Sequence, residues 1–160
     1  LDMLEGKNET LLVLLDRVTD PHNLGAIVRS AHQLGADAII IPKREACGIN
    51  ETVAKVSAGA IEYIPVIQVN NLVQVIEKCK TRGYWVAGAD SAGKQCFAQD
   101  LKGKVVLALG SEGYGLQKLL LDKCDFVVAI PQTGKLDSLN VSCAASILLY
   151  EIIRQRLQKS

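Results

Sequence analysis

Six short apolar runs divide this 160-residue chain, and stretches with helical spacing lie between and after them. The runs occupy 11–15 (LLVLL), 38–41 (AIII), 64–69, 84–87, 105–109 (VVLAL) and 126–130 (FVVAI). Several are continuous and β-branched rather than alternating, the pattern of parallel strands buried on both faces. The intervening sequence predicts helices over 24–34, 51–58, 72–82 and 116–122, and a long closing helix over about 139–157. This alternation predicts an α/β domain with a mainly parallel sheet and flanking helices. There is no internal repeat and no low-complexity segment. With 49% hydrophobic and 22% charged residues, the chain can bury a core without disulfide staples. A disordered chain, a collagen-like repeat and a disulfide-built miniprotein are excluded.

Composition removes further classes. The five cysteines (Cys47, Cys79, Cys96, Cys124, Cys143) are scattered, with no zinc-knuckle or CxxC spacing. They read mostly as small buried hydrophobes in a reducing, cytoplasmic compartment. His22 and His32 are too far apart for a metal pair, so no metal site is expected. No apolar run approaches the length of a membrane span. Eighteen basic residues face seventeen acidic ones, a net charge of +1. Bulk charge therefore does not by itself identify a nucleic-acid partner. Arg17, Lys43, Arg44 and Lys55 are scattered basic residues. Residues 1–10 are polar, lack a signal-peptide core and begin with Leu. They read as the end of a linker from a preceding RNA-binding domain, with residues 11–160 forming one domain.

Three segments stand out. In the helix over 24–34, Leu24, Ile27, Val28, Ala31 and Leu34 form one apolar stripe, and Arg29 points nearly opposite it. Asp20-Pro21 and Asn23 supply a turn and a cap before it. The pattern alone fits a solvated Arg29 better than one facing a ligand or a second subunit. The second segment is the loop Gly110-Ser111-Glu112-Gly113-Tyr114-Gly115, which leaves an apolar strand. Three glycines in six residues let backbone approach a ligand, and ligands in open α/β sheets bind at carboxyl strand ends. The order GxxGxG is not the dinucleotide GxGxxG, and neither Gly93-Lys94 nor Gly134-Lys135 completes a GK[ST] phosphate loop. The third segment, Ile130 to Ser142, also leaves an apolar strand and feeds the last helix. Ser138 and Asn140 sit where a cap belongs, but the loop is longer than a cap needs. The helix then opens on Ser142, Ala144, Ala145 and Ser146, small enough for close packing.

These segments, in this order, resemble the three motifs of the SpoU/TrmH branch of the SPOUT RNA methyltransferases. Asp20-Pro21-His22-Asn23 through Arg29-Ser30-Ala31 resembles the first, and Leu107 through Leu116 the second. Ile130-Pro131 through Leu136-Asp137-Ser138-Leu139-Asn140-Val141-Ser142-Cys143-Ala144-Ala145 resembles the third. The likeness covers nearly the whole chain from Leu11 to Leu157. Ile41-Pro42-Lys43 and Val56-Ser57-Ala58-Gly59-Ala60 fit the bacterial subgroup that 2′-O-methylates a guanosine of 23S rRNA in the peptidyl-transferase centre. The tRNA guanosine 2′-O-methyltransferases share the same motifs and are the alternative. A non-catalytic knot-fold RNA-binding assembly factor is the rival of another class.

The resemblance implies a C-terminal deep trefoil knot and a homodimer with the site at the subunit interface. It implies S-adenosylmethionine as cofactor, without a metal, held by Leu109, Gly110, Glu112, Gly113, Ile130, Pro131, Ser138, Leu139 and Asn140. It implies Arg29, Asn23, Glu112, Asn140 and Ser138 as catalytic-site residues and RNA as substrate. Methylating a ribose 2′-hydroxyl needs in-line positioning and a place for its proton. The family's acceptor position falls on Arg29, yet a guanidinium is a donor rather than a base. Either Arg29 gives up a proton transiently beside an RNA phosphate, or it stabilises the developing alkoxide and grips that phosphate. The second is the simpler physics. A near-neutral chain then fits a methyl-transfer domain whose RNA grip comes from dimerisation and from residues before Leu1.

Overall fold

The computed structural model describes residues 1–44 and 46–158. Glu45 and the last two residues of the expected 11–160 domain, Lys159 and Ser160, lie outside the described residues. Six strands form one sheet: β1 (Thr10–Asp16), β2 (Ala38–Pro42), β3 (Val66–Val69), β4 (Trp85–Gln95), β5 (Lys104–Gly110) and β6 (Phe126–Ala129). Five α-helices connect or follow them: α1 (Pro21–Gln33), α2 (Glu51–Val56), α3 (Leu72–Thr81), α4 (Lys118–Lys123) and α5 (Val141–Leu157). The strand order is β3-β2-β1-β5-β4-β6, and every pairing is parallel.

The continuous apolar runs have the expected consequence. Leu11, Val13 and Leu15 of β1 pack into one core with α1, α2 and α5, whereas Leu12 and Leu14 pack into a second with α3 and α4. Strand β5 divides likewise, Val105, Leu107 and Leu109 against Val106 and Ala108. Successive side chains leave opposite faces of a strand, so a strand covered on both sides must be apolar throughout. The stripe on α1 is buried at Leu24, Ile27, Val28 and Ala31, and the helix is capped by Asp20, which accepts from the His22 N–H at 2.8 Å. The small residues opening α5 do permit close approach to α1, where the Ser30 and Ser146 hydroxyls lie 2.8 Å apart.

Three expectations need correction. Strand β4 extends to Gln95, well past the apolar run at 84–87. Its second half has no apolar pattern; it is held against β6 across a register shift between Ala89 and Lys94. Gly93 allows this, since a Cβ there would lie 2.6 Å from the Val127 carbonyl. The sequence from Arg154 on is polar and predicts a solvated tail for α5, yet Gln155 within it is buried. Its side chain accepts from the Leu101 N–H at 2.8 Å and donates to the Gln99 carbonyl at 2.9 Å, tying the helix to the segment before β5. Finally, the cysteines divide: Cys79 and Cys96 are buried, whereas Cys143 is exposed. Burial pushes the Cys79 and Cys124 thiols up to about 11.

Candidate active site

The middle of β4 and the loops that leave the carboxyl ends of its neighbours β5 and β6 enclose a cavity of about 350 Å³. That volume is in the range of small-molecule sites. Leu109, Ile130, Leu139 and Leu148 supply apolar wall, and the backbone of 110–115 supplies polar groups. Asp90, Glu112 and Asp137 place three carboxylates around it, with no lysine or arginine among the lining residues. Such a site suits a flat apolar ring system attached to a positively charged group.

The glycine loop owes its shape to local crowding. Ser111 and Gly115 form an isolated antiparallel bridge, with the Gly115 N–H donating to the Ser111 carbonyl at 2.8 Å. The chain thus returns directly over Gly110, where a Cβ would lie 2.0 Å from the Gly115 carbonyl group. Two residues at the end of β1 hold the same loop. Asp16, buried, accepts from the Gln117 N–H at 2.9 Å, and Arg17 donates from Nη2 to the Gly115 carbonyl at 3.2 Å.

A polar cluster adjoins the cavity. Asn140 caps α5, accepting through Oδ1 from the N–H groups of Ser142 and Cys143 and from the Ser142 hydroxyl. That fixes its amide nitrogen, which donates to Glu112 Oε1 at 2.6 Å and to Asn23 Oδ1 at 3.0 Å. Glu112 also accepts from the Val141 N–H at 3.1 Å, so a carboxylate sits at the amino end of a seventeen-residue helix, where the dipole favours it. Residues far apart in sequence thereby form one unit, Asn23–Asn140–Glu112. It stands between the first cavity and a second groove of about 570 Å³, which shares Ser111, Glu112, Tyr114 and Val141 with it and adds Arg17, Asp20 and Asn23.

Of the residues singled out in the sequence, Leu109, Gly110, Glu112, Gly113, Ile130, Ser138 and Leu139 line the cavity. Pro131 and Asn140 do not; Asn140 belongs to the polar cluster. Arg29 lies apart from both. It is exposed on α1, six residues beyond Asn23 and therefore about 9 Å further along the axis. Among the described residues it has no hydrogen-bond or ion-pair partner and lines neither cavity. Sequence reasoning missed the third wall, Ala89, Asp90 and Ser91 on β4. Its one signal was the polar Asp90-Ser91-Ala92-Gly93 following an apolar run. Among the described residues no histidine, cysteine and carboxylate cluster could hold a metal.

This fold and site define the class. Residues 10–150 match the model of the SpoU rRNA Methylase family, and the chain belongs to that family. It is 48% identical over 157 residues to the 23S rRNA (guanosine-2′-O-)-methyltransferase RlmB of Ralstonia nicotianae, covering 98% of this chain and 62% of that protein. Among solved structures, the SpoU methyltransferase AviRb from Streptomyces viridochromogenes in complex with AdoMet superposes with a TM-score of 0.91 at 32% identity, covering 99% of this chain and 65% of that one. The TrmH/SpoU tRNA modifying enzyme of A. aeolicus gives 0.85 at 29% identity, covering 98% and 80%. The chain spans about three fifths of the length of the curated relatives it matches.

Proposed function

We propose that the chain is the catalytic domain of an S-adenosylmethionine-dependent RNA 2′-O-ribose methyltransferase acting in the cytoplasm on a guanosine of 23S rRNA in the peptidyl-transferase centre. The observation that carries this is the placement of the Asn23–Asn140–Glu112 unit between an apolar, carboxylate-rimmed cavity and an adjoining open groove. The rRNA target is supported by the 48% identity to RlmB. A tRNA target is the second reading, supported by the likeness to the A. aeolicus enzyme.

The cavity residues fit the cofactor. Leu109, Ile130 and Leu139 would wall the adenine, the 110–113 backbone would supply its polar contacts, and Asp90 or Glu112 would face the cationic end. When bound, the cofactor supplies a sulfonium-activated methyl group, so no metal is needed. Ser138 shapes the third loop, and Asn23 and Asn140 orient the ribose. Glu112 braces Asn140, which in turn holds Asn23, and the hydrogen bond to Glu112 from the α5 amino end fixes the cluster. Arg29 stabilises the developing alkoxide and grips the adjoining phosphate. Because Arg29 lies away from its own chain's cavity, it reaches the site of a second copy in a homodimer.

The fold reading includes a deep trefoil knot in the C-terminal part. It is supported by the path of α5, which leaves edge strand β6 and returns to pack on α1 and β5, and by the tight crossings at Gly93 and Gly110. The test is methyl incorporation by the full-length protein into 23S rRNA and into bulk tRNA, with the modified nucleotide mapped. Methylation of a 23S guanosine ribose upholds the reading; modification of tRNA alone moves it to the second; none on either RNA refutes both.

A further inference from the structure

Arg17 is one of the described non-glycine residues held in the left-handed region, with φ of 58°. Side chains other than glycine, asparagine and aspartate rarely accept that conformation, and such strain concentrates at functional sites. The turn follows the last residue of β1 and aims the guanidinium at the wall between the two cavities. Of its five donor hydrogens, one hydrogen bond is accounted for, from Nη2 to the Gly115 carbonyl. Nε is buried without a hydrogen bond; the nearest carboxylate oxygen, on Asp16, is 3.6 Å away. Nη1 has no partner among the described residues.

The groove that Arg17 lines otherwise carries Asp20 and Glu112, both acidic. Arg17 is the only cation lining either cavity among the described residues. A polyanion entering this groove would meet two carboxylates, and Arg17 alone can offset them. In RNA the 2′-hydroxyl and the 3′-phosphate sit on neighbouring ribose carbons. A ribose placed at Asn23 and Glu112 therefore brings a phosphodiester into the same groove. Tyr114, 84% exposed on the shared wall, offers a ring face for a base.

We propose that Arg17 is a phosphate-binding residue of the acceptor groove, its free guanidinium edge gripping the RNA backbone beside the ribose to be methylated. This rests on the methyltransferase reading for its substrate class. The rival role for the same side chain is purely structural, a brace on the glycine loop through Gly115. Arg17→Gly separates the two, because glycine accepts the positive φ without strain and the fold is retained.

The experiment measures binding of a short single-stranded guanosine-containing oligoribonucleotide, as a function of salt, to the wild type, Arg17→Gly and Arg17→Lys. Binding of S-adenosylhomocysteine is measured in parallel by calorimetry. Losing one charged contact should weaken RNA binding about tenfold. It should also lower the slope of log affinity against log salt by roughly 0.7–1. Arg17→Lys should keep the slope, and any loss of S-adenosylhomocysteine affinity in Arg17→Gly should stay within about fivefold, the worth of the one Arg17–Gly115 hydrogen bond. An unchanged RNA affinity and slope in Arg17→Gly overturns the proposal. So does a loss confined to S-adenosylhomocysteine, which identifies the brace. A wild type with the expected RNA signature but no methyl transfer upholds Arg17 as a phosphate ligand and refutes the methyltransferase reading instead.

Discussion

Replacing Gly110 by alanine should destroy cofactor binding while leaving the domain folded. The added Cβ would sit 2.0 Å from the Gly115 carbonyl group and 2.3 Å from the Leu116 nitrogen. Ordinary contact begins at 3.4 Å, so the returning backbone must move by about 1.4 Å. Leu116 is buried in the core against α3 and α4, which prevents the displacement from spreading smoothly. The loop must instead give up the Gly115–Ser111 and Arg17–Gly115 hydrogen bonds. Two such bonds are worth about 1 kcal/mol each, and overpacking a tight site costs about 1–3 kcal/mol. The sum, about 3–5 kcal/mol, falls on the loop, whose residues 112–114 are open to solvent. At about 1.4 kcal/mol per decade, S-adenosylhomocysteine affinity should drop by about two to four orders of magnitude. Titration calorimetry reads this directly, with far-ultraviolet circular dichroism reporting the retained fold. Affinity within about threefold of wild type would refute the idea that this backbone crossing shapes the site.

Three further outcomes test the shared site and the stability of the fold. Arg29→Ala should abolish methyl transfer and leave S-adenosylhomocysteine binding intact; loss of both together would remove Arg29 from its assigned role. Mixing Arg29→Ala with Gly110→Ala chains should restore activity in the mixed dimer, and no restoration would contradict a site shared between copies. Glu151 predicts an acid response. Arg154 donates to it from Nε and Nη2, both at 2.7 Å, and holds its carboxyl below the usual glutamate value. A depressed carboxylate stabilises the fold above the ordinary value of 4.5, and that contribution is lost as pH falls through the folded-state value. Urea melts from pH 7 downward should therefore show a shallower acid loss for Glu151→Gln; identical slopes would show that this pair does not contribute.

Much of the architecture follows from local patterns. A strand covered on both faces must be apolar at every position, so 11–15 and 105–109 marked the centre of the sheet. The stripe on α1 and the cap at Asn140 were equally legible, because helical spacing and capping are short-range chemistry. The second half of β4 was not: its residues carry no apolar period and are strand only because β6 lies beside them. Nor was Gln155, a polar residue buried because Leu101 and Gln99 need its amide.

The sequence by itself determined the α/β class, the glycine loop at a strand end and the three motifs that place the chain in its family. Tertiary structure alone decided that Asn23, Glu112 and Asn140 form one hydrogen-bonded unit, and that Arg29 stands outside it. It also decided that Arg17 reaches the glycine loop. The division has a physical cause. Burial and capping act between residues a few positions apart, whereas Asn23 and Asn140 lie 117 positions apart. They meet because α5 leaves edge strand β6 and returns across the sheet to pack on α1.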